Sequence, residues 1–451
     1  MEGSSRPVPG AAYDRWLDAL ARAGWPGRAG ERDAEQIGVA AALGRVTVAP
    51  VTARWPSPRC ACAAMDGIAV RAADLAAASA TGRPGARPEP DGQAVRLPAG
   101  VFEWIDTGDP VPDGLDTVVM RERLLPQDDG SIIVTAAADG GRTGGHAVSS
   151  RHVRAVGEDF AAGELLVPAG WRLRPGDLAA AAAGGHLTVA VTREPVVAII
   201  PTGDEIRPLG SALRRGDILD TNSLMLAARC RQLGSVPVVS PVVPDDPDLL
   251  AAELRHAAAH ADLVLVIAGS SRGRDDHAGA VLAQVGGVAV AGVAVRPGHP
   301  ALLGHAKRPG ISRRHPADPA GSAVPDHRAG IAPVIGLPGY PLATAVVFEL
   351  FAVPMLGALT GQAPVGGRVR ARLDRDWSSP AGVEEWVLVT LGPAGDPGIP
   401  LATPDKRGAG SISQLARADA WWPVPAGQVS LAAGTEIEIF PLPGTSRAGP
   451  G

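Results

Sequence analysis

The sequence predicts a multidomain α/β protein, with a parallel-rich sheet flanked by helices and smaller β-rich domains beside it. Three observations point there. The runs Pro195–Ile200, Asp262–Ile267 and Val334–Leu337 are apolar without alternation, which marks strands covered on both faces. Helical stretches separate them, and each run ends in a polar, glycine-rich or proline-rich loop. From Arg368 onward the shorter runs Arg368–Leu373, Glu385–Leu391, Gln428–Ala433 and Glu436–Phe440 suggest a separate β-domain. In parallel sheets ligands sit at the carboxyl ends of the strands, so the loops at those ends are the expected place of chemistry.

A chain of 451 residues has room for several domains. Apolar residues make up 45% and aromatic residues 4%, so the cores are filled largely by Ala, Val and Leu. The 57 glycines and 43 prolines fall between periodic segments rather than in one tract, which argues against global disorder. A net charge of −5 does not suggest nucleic acid as the main partner. No apolar run is read as a membrane span, and the N-terminal stretch lacks a signal peptide's apolar core, so no membrane partner is expected. The three cysteines, Cys60, Cys62 and Cys230, cannot form a disulfide framework, and Cys-Ala-Cys alone is a poor zinc signal. A reducing, cytoplasmic setting is the simplest expectation.

In chain order, residues 11–53 are expected to form N-terminal helices. One is amphipathic, with Trp16, Leu17, Leu20 and Ala21 at helical spacing; a second covers Glu31–Leu43 and leads to a strand at Arg45–Val51. Residues 54–150 read as a small β-rich domain, with Asp66 in a tight Asp-Gly turn and a Thr107-Gly108-Asp109 loop before a strand at Asp116–Met120. Asp66 either serves its own backbone or is presented to a ligand. The Thr-Gly-Asp loop is either a proline-braced turn or an oxyanion site with open backbone N–H groups. Residues 151–193, with part of 30–53, form a linker domain. There Arg154 beside Glu158 and Asp159 is either a surface ion pair or a wall for an anionic ligand. Residues 194–362 carry the α/β domain, interrupted by a Gly-, Pro-, Arg- and His-rich insertion at 305–332 that is expected to be mobile. Residues 366–443 form the C-terminal β-domain and 444–451 a disordered tail. No internal repeat is found.

Five acidic positions stand at strand ends or turns of the α/β domain: Asp204, Glu205, Asp245, Asp246 and Asp276. Such a set is compatible with Mg²⁺ held together with substrate phosphates, and equally with ordinary surface loops. Arg296-Pro297-Gly298-His299-Pro300 adds a guanidinium suited to bidentate oxyanion contacts. Pro338-Gly339-Tyr340-Pro341 ends a strand and opens a helix, whose N-terminus favours anions. Either turn alone is read as structural. Together, on one edge of one sheet, these loops describe a pocket for a phosphorylated ligand or a small oxyanion.

The order of motifs resembles that of the molybdopterin molybdenumtransferase (molybdenum insertase) family, the gephyrin-like proteins. The motifs are Ala64-Met65-Asp66-Gly67, Thr107-Gly108-Asp109-Pro110, Gly157-Glu158-Asp159, Pro201-Thr202-Gly203-Asp204-Glu205 and Asp220-Thr221-Asn222-Ser223. Further along come Asp245-Asp246-Pro247, Arg296-Pro297-Gly298-His299-Pro300 and Leu337-Pro338-Gly339-Tyr340-Pro341. The resemblance implies a gephyrin-like α/β domain in an elongated homodimer, with sites in clefts between subunits. It implies a Mg²⁺-dependent enzyme that takes adenylylated molybdopterin and molybdate and releases AMP and molybdenum cofactor. A molybdopterin adenylyltransferase is the implied partner protein.

Carried over by motif, the resemblance implies Asp276, Glu205, Asp245, Arg296 and His299 as catalytic. Of these, Glu205, Asp245 and Asp276 are the implied metal ligands. Asp66, Thr107, Asp159, Thr202, Ser270, Ser271, Pro338, Gly339 and Ser411 are the implied cofactor contacts. The sequence also departs from the family. Arg296 and His299 stand where two lysines are usual, which keeps oxyanion binding but weakens the charge, since a free imidazole is mostly uncharged at neutral pH. Tyr340 replaces an asparagine, the loop from Ala268 to Gly273 is shortened, and Leu388 takes the place of a common arginine. These features resemble a divergent branch whose members are often fused to a periplasmic-binding-protein-like domain, which is not expected here. The alternative function is a paralogue that binds molybdopterin, molybdate or tungstate without turnover; a purely structural scaffold needs no intact acidic set.

Overall fold

In a computed structural model the described residues are 6–27, 34–80, 94–135, 151–268, 277–308, 330–361, 367–394, 398–405, 408 and 412–442. The chain divides into two units, residues 36–191 and residues 1–35 with 192–451.

The larger unit is built on a six-stranded sheet. Its spatial order is Val236–Val239, Val196–Pro201, Leu263–Ala268, Ile331–Pro338, Leu302–Lys307 and Gly286–Ala291. The first four strands run parallel and the last two are antiparallel additions. The continuous apolar runs have a simple cause. In the strand Val196–Pro201, Val197 and Ile199 enter one core while Ala198 and Ile200 enter another on the opposite face. The first core takes Trp16 and Leu20 of the helix Pro9–Arg22, Leu226 and Cys230 of Thr221–Gln232, and Phe348 and Phe351. Trp16 is fully buried and satisfies its indole N–H on Gly304 O at 2.7 Å. The second core is closed by Leu250 and Leu254 of Pro247–His260 and by Val281 and Leu282 of Ala278–Val285.

One expectation changes here. The helical segment Pro341–Thr360, 20 residues, is long and apolar enough to cross a membrane, contrary to the sequence reading. Its side chains Val346, Val347, Phe348, Phe351 and Met355 are buried in the protein core, and Glu349 is held by Arg229 at 2.7 Å. The helix widens into a π turn at Phe348–Ala352, just before Pro354, which has no N–H to give the preceding turn.

The same unit contains a C-terminal ring of strands. Glu384–Ala394 pairs with Pro400–Pro404 on one side and Ala420–Val424 on the other. Val369–Leu373 and Glu436–Pro441 complete the circle. Closure removes free edges, and Val389, Ala402, Trp422 and Ile439 fill the interior. A short strand, Val295–Arg296, leaves the α/β part and pairs in parallel with Glu384 and Glu385.

In the smaller unit, Gly67–Val70 lies between Phe102–Ile105 and Thr117–Met120, both antiparallel. Gly67 is required by this packing, because a Cβ there would lie 1.8 Å from Val119 O. A second small sheet joins Val95–Leu97, Ile132–Val134 and Leu124–Pro126. The helix expected at Glu31–Leu43 is absent among the described residues. Ala34–Gly38 is a strand with alternating burial, and Val39–Ala41 is a single 3₁₀ turn whose Val39 N–H goes to Leu187 O at 3.0 Å. The period-two exposure and Gly38 belong to an extended segment. The strand expected at Arg45–Val51 reduces to bridges at Val46 and Thr47 before Val51–Thr52. A helix at Ala72–Ala80, not foreseen, follows the Asp66 strand. His305–Lys307 and Ile331–Ala332 are sheet residues rather than ends of a loop; 309–329 and the tail 444–451 lie outside the described residues.

Candidate active site

A cavity of about 840 Å³ opens at the carboxyl ends of the parallel strands in the larger unit. Four loop sets converge on it. Pro201, Thr202 and Glu205 follow the strand Val196–Pro201, and Asp220–Asn222 open the helix Thr221–Gln232. Pro338–Ala343 lead from the last parallel strand into the long core helix, and Arg296–Pro300 form the fourth wall.

Two helix N-termini therefore face the cavity, which favours an anion there. Asp220 caps one of them, its carboxylate accepting from Ser223 N–H at 3.0 Å. Asn222 ties the two starts together, its Nδ2 donating to Gly339 O at 2.7 Å. Its Oδ1 is buried without a partner. Thr344, one turn into the second helix, donates its hydroxyl to Pro338 O and fixes the Pro-Gly loop.

Arg296 and His299 are the basic side chains among the described lining residues. Arg296 is held in place by the strand pairing Arg296↔Glu385, which sets it beside the C-terminal ring. Gly298 has φ +117°, and a Cβ there would lie 2.8 Å from Val347 Cγ2, so the turn between the two basic residues admits only glycine.

The opposite wall comes from the C-terminal ring and the segments around it. Glu385, Trp386 and Leu388 stand on a ring strand, Asp405 just after one, Trp377 on the short strand Trp377–Ser378 and Gln414 on the helix Ile412–Arg417. Glu385 is 2% exposed and accepts from Trp377 Nε1 at 3.1 Å. Trp386 donates to Glu384 at 2.6 Å and stacks on Phe440 with ring centroids 6.1 Å apart. Asp405 Oδ2 is enclosed without a hydrogen-bond partner, and burial pushes its pKa up against the pull of Arg417 and Arg375.

The sign for stability follows. A raised folded-state pKa means that the folded chain holds the Asp405 proton more tightly than the unfolded chain. Asp405 therefore destabilises increasingly as pH climbs from its ordinary value of 3.8 through the folded value. Asp405→Asn is expected to match wild type in urea denaturation at pH 3.5 and to be the more stable protein at pH 7. Equal differences at both pH values would contradict this.

Other acidic positions behave differently from expectation. Asp204 and Asp245 cross-link their loops, each carboxylate accepting the other's backbone N–H at 3.3 Å. Asp245 does not line the cavity. Asp246 caps the helix Pro247–His260 through Asp248 and Leu249 N–H, so its role is structural. The Thr202 hydroxyl is engaged with Ile267 O at 2.9 Å. Among the described residues no group of three or more His, Cys, Asp or Glu side chains is placed to hold a metal.

In the smaller unit Asp66 Oδ1 accepts from both Thr107 N–H at 2.7 Å and Thr107 Oγ1 at 2.6 Å. Asp66 is exposed, and its carboxylate serves the Thr-Gly-Asp loop rather than its own turn. That loop's N–H groups, expected to be open, are taken: Gly108 donates to Ala63 O at 2.8 Å and Asp109 to Asp106 O at 3.0 Å. The Thr107 bonds hold the Asp66 carboxyl below its usual value of 3.8, helped by Arg121. Thr107→Val is expected to raise the Asp66 midpoint in an NMR titration, and an unchanged midpoint would break the assignment. Asp159 donates its N–H to Ser57 O at 2.9 Å, while Arg154 pairs with Glu158 at 3.1 Å on the surface.

Family models match three successive stretches of the chain: the MoeA N-terminal region (domains I and II) over 11–185, a probable molybdopterin binding domain over 198–358, and the MoeA C-terminal region (domain IV) over 370–442. Molybdopterin molybdenumtransferase 2 of Mycobacterium tuberculosis (strain ATCC 25618 / H37Rv) is 30% identical over 391 residues, 84% of this chain and 88% of that one. The chain belongs to the molybdopterin molybdenumtransferase family. The Nostoc sp. molybdopterin molybdenumtransferase is 29% identical over 92% of this chain and 90% of its own. A crystal structure of the molybdopterin biosynthesis MoeA protein from Pyrococcus horikosii superposes with a TM-score of 0.72 at 27% identity, covering 97% of this chain and 99% of that one. The family's multidomain α/β fold with β-rich domains is therefore the fold of this chain.

Of the residues assigned by resemblance, Thr202, Glu205, Arg296, His299, Pro338 and Gly339 meet in the one cavity of this molybdenumtransferase relative. Asp276, Ser270, Ser271 and Ser411 lie outside the described residues. Trp377, Glu385, Trp386, Asp405 and Gln414 were not singled out from sequence. The run Glu385–Leu391 signalled a strand, but nothing in it signalled which strand it would meet.

Proposed function

We propose that the protein is a molybdopterin molybdenumtransferase, which inserts molybdate into adenylylated molybdopterin and releases AMP. The observation that carries this reading is the convergence of Glu205, Arg296, His299, Pro338 and Gly339 on one cavity entered by two helix N-termini. Arg296 offers paired N–H donors to an oxyanion, and the helix start at Pro341, which has no acidic cap, adds partial positive charge, whereas Asp220 already occupies the one at Thr221. Trp386 and Trp377 supply flat apolar surface for a fused ring.

Magnesium fits only in a limited sense. No cage is formed among the described residues, but Glu205 and Asp245 stand on loops joined through Asp204, the donor type that holds Mg²⁺ together with phosphate oxygens and water. Bound there, the ion would neutralise charge on the departing phosphate. Asp276, Ser270, Ser271 and Ser411 are kept as proposed members of the site, and Asp66, Thr107 and Asp159 as proposed ligand contacts. A homodimer, a cytoplasmic location and a molybdopterin adenylyltransferase partner complete the reading.

One observation favours a second reading, a binding paralogue without turnover. Leu388 is buried in the cavity wall where a cation is common in the family, and it cannot stabilise developing charge. The test uses purified protein with adenylylated molybdopterin, molybdate and Mg²⁺, following AMP release and cofactor formation together, beside Glu205→Gln. Both products appearing in step, and falling in the variant, supports the transferase. Tight binding with no AMP release establishes the paralogue instead.

A further inference from the structure

Cys60 and Cys62 have no part in the proposed chemistry, yet the smaller unit holds them in contact. Cys60 is exposed and Cys62 partly so, and their Sγ atoms lie 3.9 Å apart. Cys62 Sγ also donates to Cys60 O at 3.1 Å, so the second side chain is folded back over the first residue. Neither thiol has been tied into a core. Cys230, by contrast, is fully buried, with burial pushing its pKa up to about 12.

The backbone around the pair is clamped on two sides. Cys62 pairs with Arg154 on one flank and bridges Pro110 on the other. Ala61 O accepts from Val111 N–H at 2.9 Å, and Ala63 N–H donates to Asp109 O at 2.9 Å. The Cys-Ala-Cys segment is thus hydrogen-bonded directly to the loop whose Thr107 grips Asp66.

From this juxtaposition we infer that Cys60 and Cys62 form a reversible intramolecular disulfide, with a hydroperoxide as oxidant, and that its closure loosens the Thr107–Val111 loop. The steps balance. The Cys60 thiolate attacks one peroxide oxygen and breaks the O–O bond, giving a sulfenic acid and, from hydrogen peroxide, one water. The Cys62 sulfur then attacks the sulfenic sulfur, forming the S–S bond and releasing a second water. Two thiols are oxidised by two electrons and one peroxide is reduced. Cys62 suits the second step, because burial and its hydrogen bond to Cys60 keep it a thiol until its partner has reacted.

A disulfide has an S–S length of about 2.05 Å, so closure draws the two sulfurs together by roughly 2 Å. Within a three-residue loop that movement turns the Ala61 carbonyl away from Val111. The strain also favours re-reduction by cellular dithiols.

The experiment treats the full chain with one to a few equivalents of hydrogen peroxide and records intact mass, thiol count after denaturation, and hydrogen exchange. The expected result is a loss of two hydrogens in mass and a fall from three thiols to one, reversed by dithiothreitol. Cys230→Ala still loses two hydrogens, and neither Cys60→Ser nor Cys62→Ser does. Amide exchange over 107–111 is expected to quicken several-fold in the oxidised wild type and to stay unchanged in treated Cys60→Ser. Three thiols persisting, sulfinic acid accumulating on separate cysteines, or a disulfide linking two chains would each overturn the pair. A disulfide that leaves exchange at 107–111 unchanged would overturn the coupling to that loop.

Discussion

Arg296→Ala is expected to lower kcat/KM for AMP release by roughly a hundredfold, a loss of about 2.7 kcal/mol in transition-state stabilisation. Arg296→Lys is expected to recover about a tenth of the lost activity, since an ammonium keeps the charge but not the fork of donors. The reason lies in how the side chain is placed. Arg296 is exposed at the cavity wall and sits on a two-residue strand whose register is set by Glu384 and Glu385. The backbone is fixed while the guanidinium remains available to an oxyanion. Truncation removes no core packing, so the melting temperature should not move. The check is steady-state AMP release over a range of substrate concentrations, with thermal unfolding alongside. An alanine variant within threefold of wild type would remove Arg296 from the reaction. An equal fall in stability and activity would mean that the residue is structural. His299, exposed three residues on with its backbone carbonyl bonded to Val293 N–H at 2.9 Å, offers a second donor that softens either loss.

The legible parts of this fold are those in which one residue's pattern reports its own surroundings. Val197, Ile199, Leu263 and Leu265 face one core, and Ala198, Ile200, Val264 and Val266 the other, so a strand buried on both faces reads as an unbroken apolar run. The turn chemistry of Thr202–Glu205, Arg296–His299 and Pro338–Tyr340 then follows from their place at strand ends. What stayed hidden depends on partners far along the chain. Trp377, Glu385 and Asp405 reach the cavity because Val295 pairs with Glu384, a contact across a long sequence separation that no local pattern announces. Thr107 was visible as a turn residue, but that its N–H is spent on Asp66 and the Gly108 N–H on Ala63 O required the fold. Ala34–Gly38 misled in the other direction, since Ala, Glu and Gln are good helix formers and the alternation of exposure is seen only in the fold.

Asp262→Ala is expected to destabilise the protein by about 2 to 3 kcal/mol, the cost of leaving a buried backbone donor unpaired and losing a charge-assisted hydrogen-bonded pair. Asp262 is 6% exposed at the start of the strand Leu263–Ala268. It takes both guanidinium nitrogens of Arg193, at 2.9 and 3.0 Å, and the Val196 N–H at 2.7 Å. Removing it therefore orphans the Val196 N–H and takes from the Arg193 guanidinium its charged partner, though not its bond to Glu194 O at 3.0 Å. Arg193 has a side chain 31% exposed, so its own truncation should cost less, because Asp262 keeps the Val196 bond and some water. The asymmetry is the diagnostic. Urea denaturation should give Asp262→Ala the larger loss, Arg193→Ala a smaller one, and the double variant less than their sum. Equal single losses that add would mean the pair is incidental. The position matters because Asp262 fixes the entry of two adjacent parallel strands, Val196–Pro201 and Leu263–Ala268. Those strands exit at Thr202 and Ala268 in the cavity wall, roughly 20 Å further on at about 3.3 Å per residue. A slip of one residue at the entry would turn Val197 and Ile199 toward the wrong core and carry Glu205 out of place. The cost of such a slip, set by two buried faces at once, keeps the distant loop in register, so ligand affinity below the melting transition should survive the substitution even as stability falls.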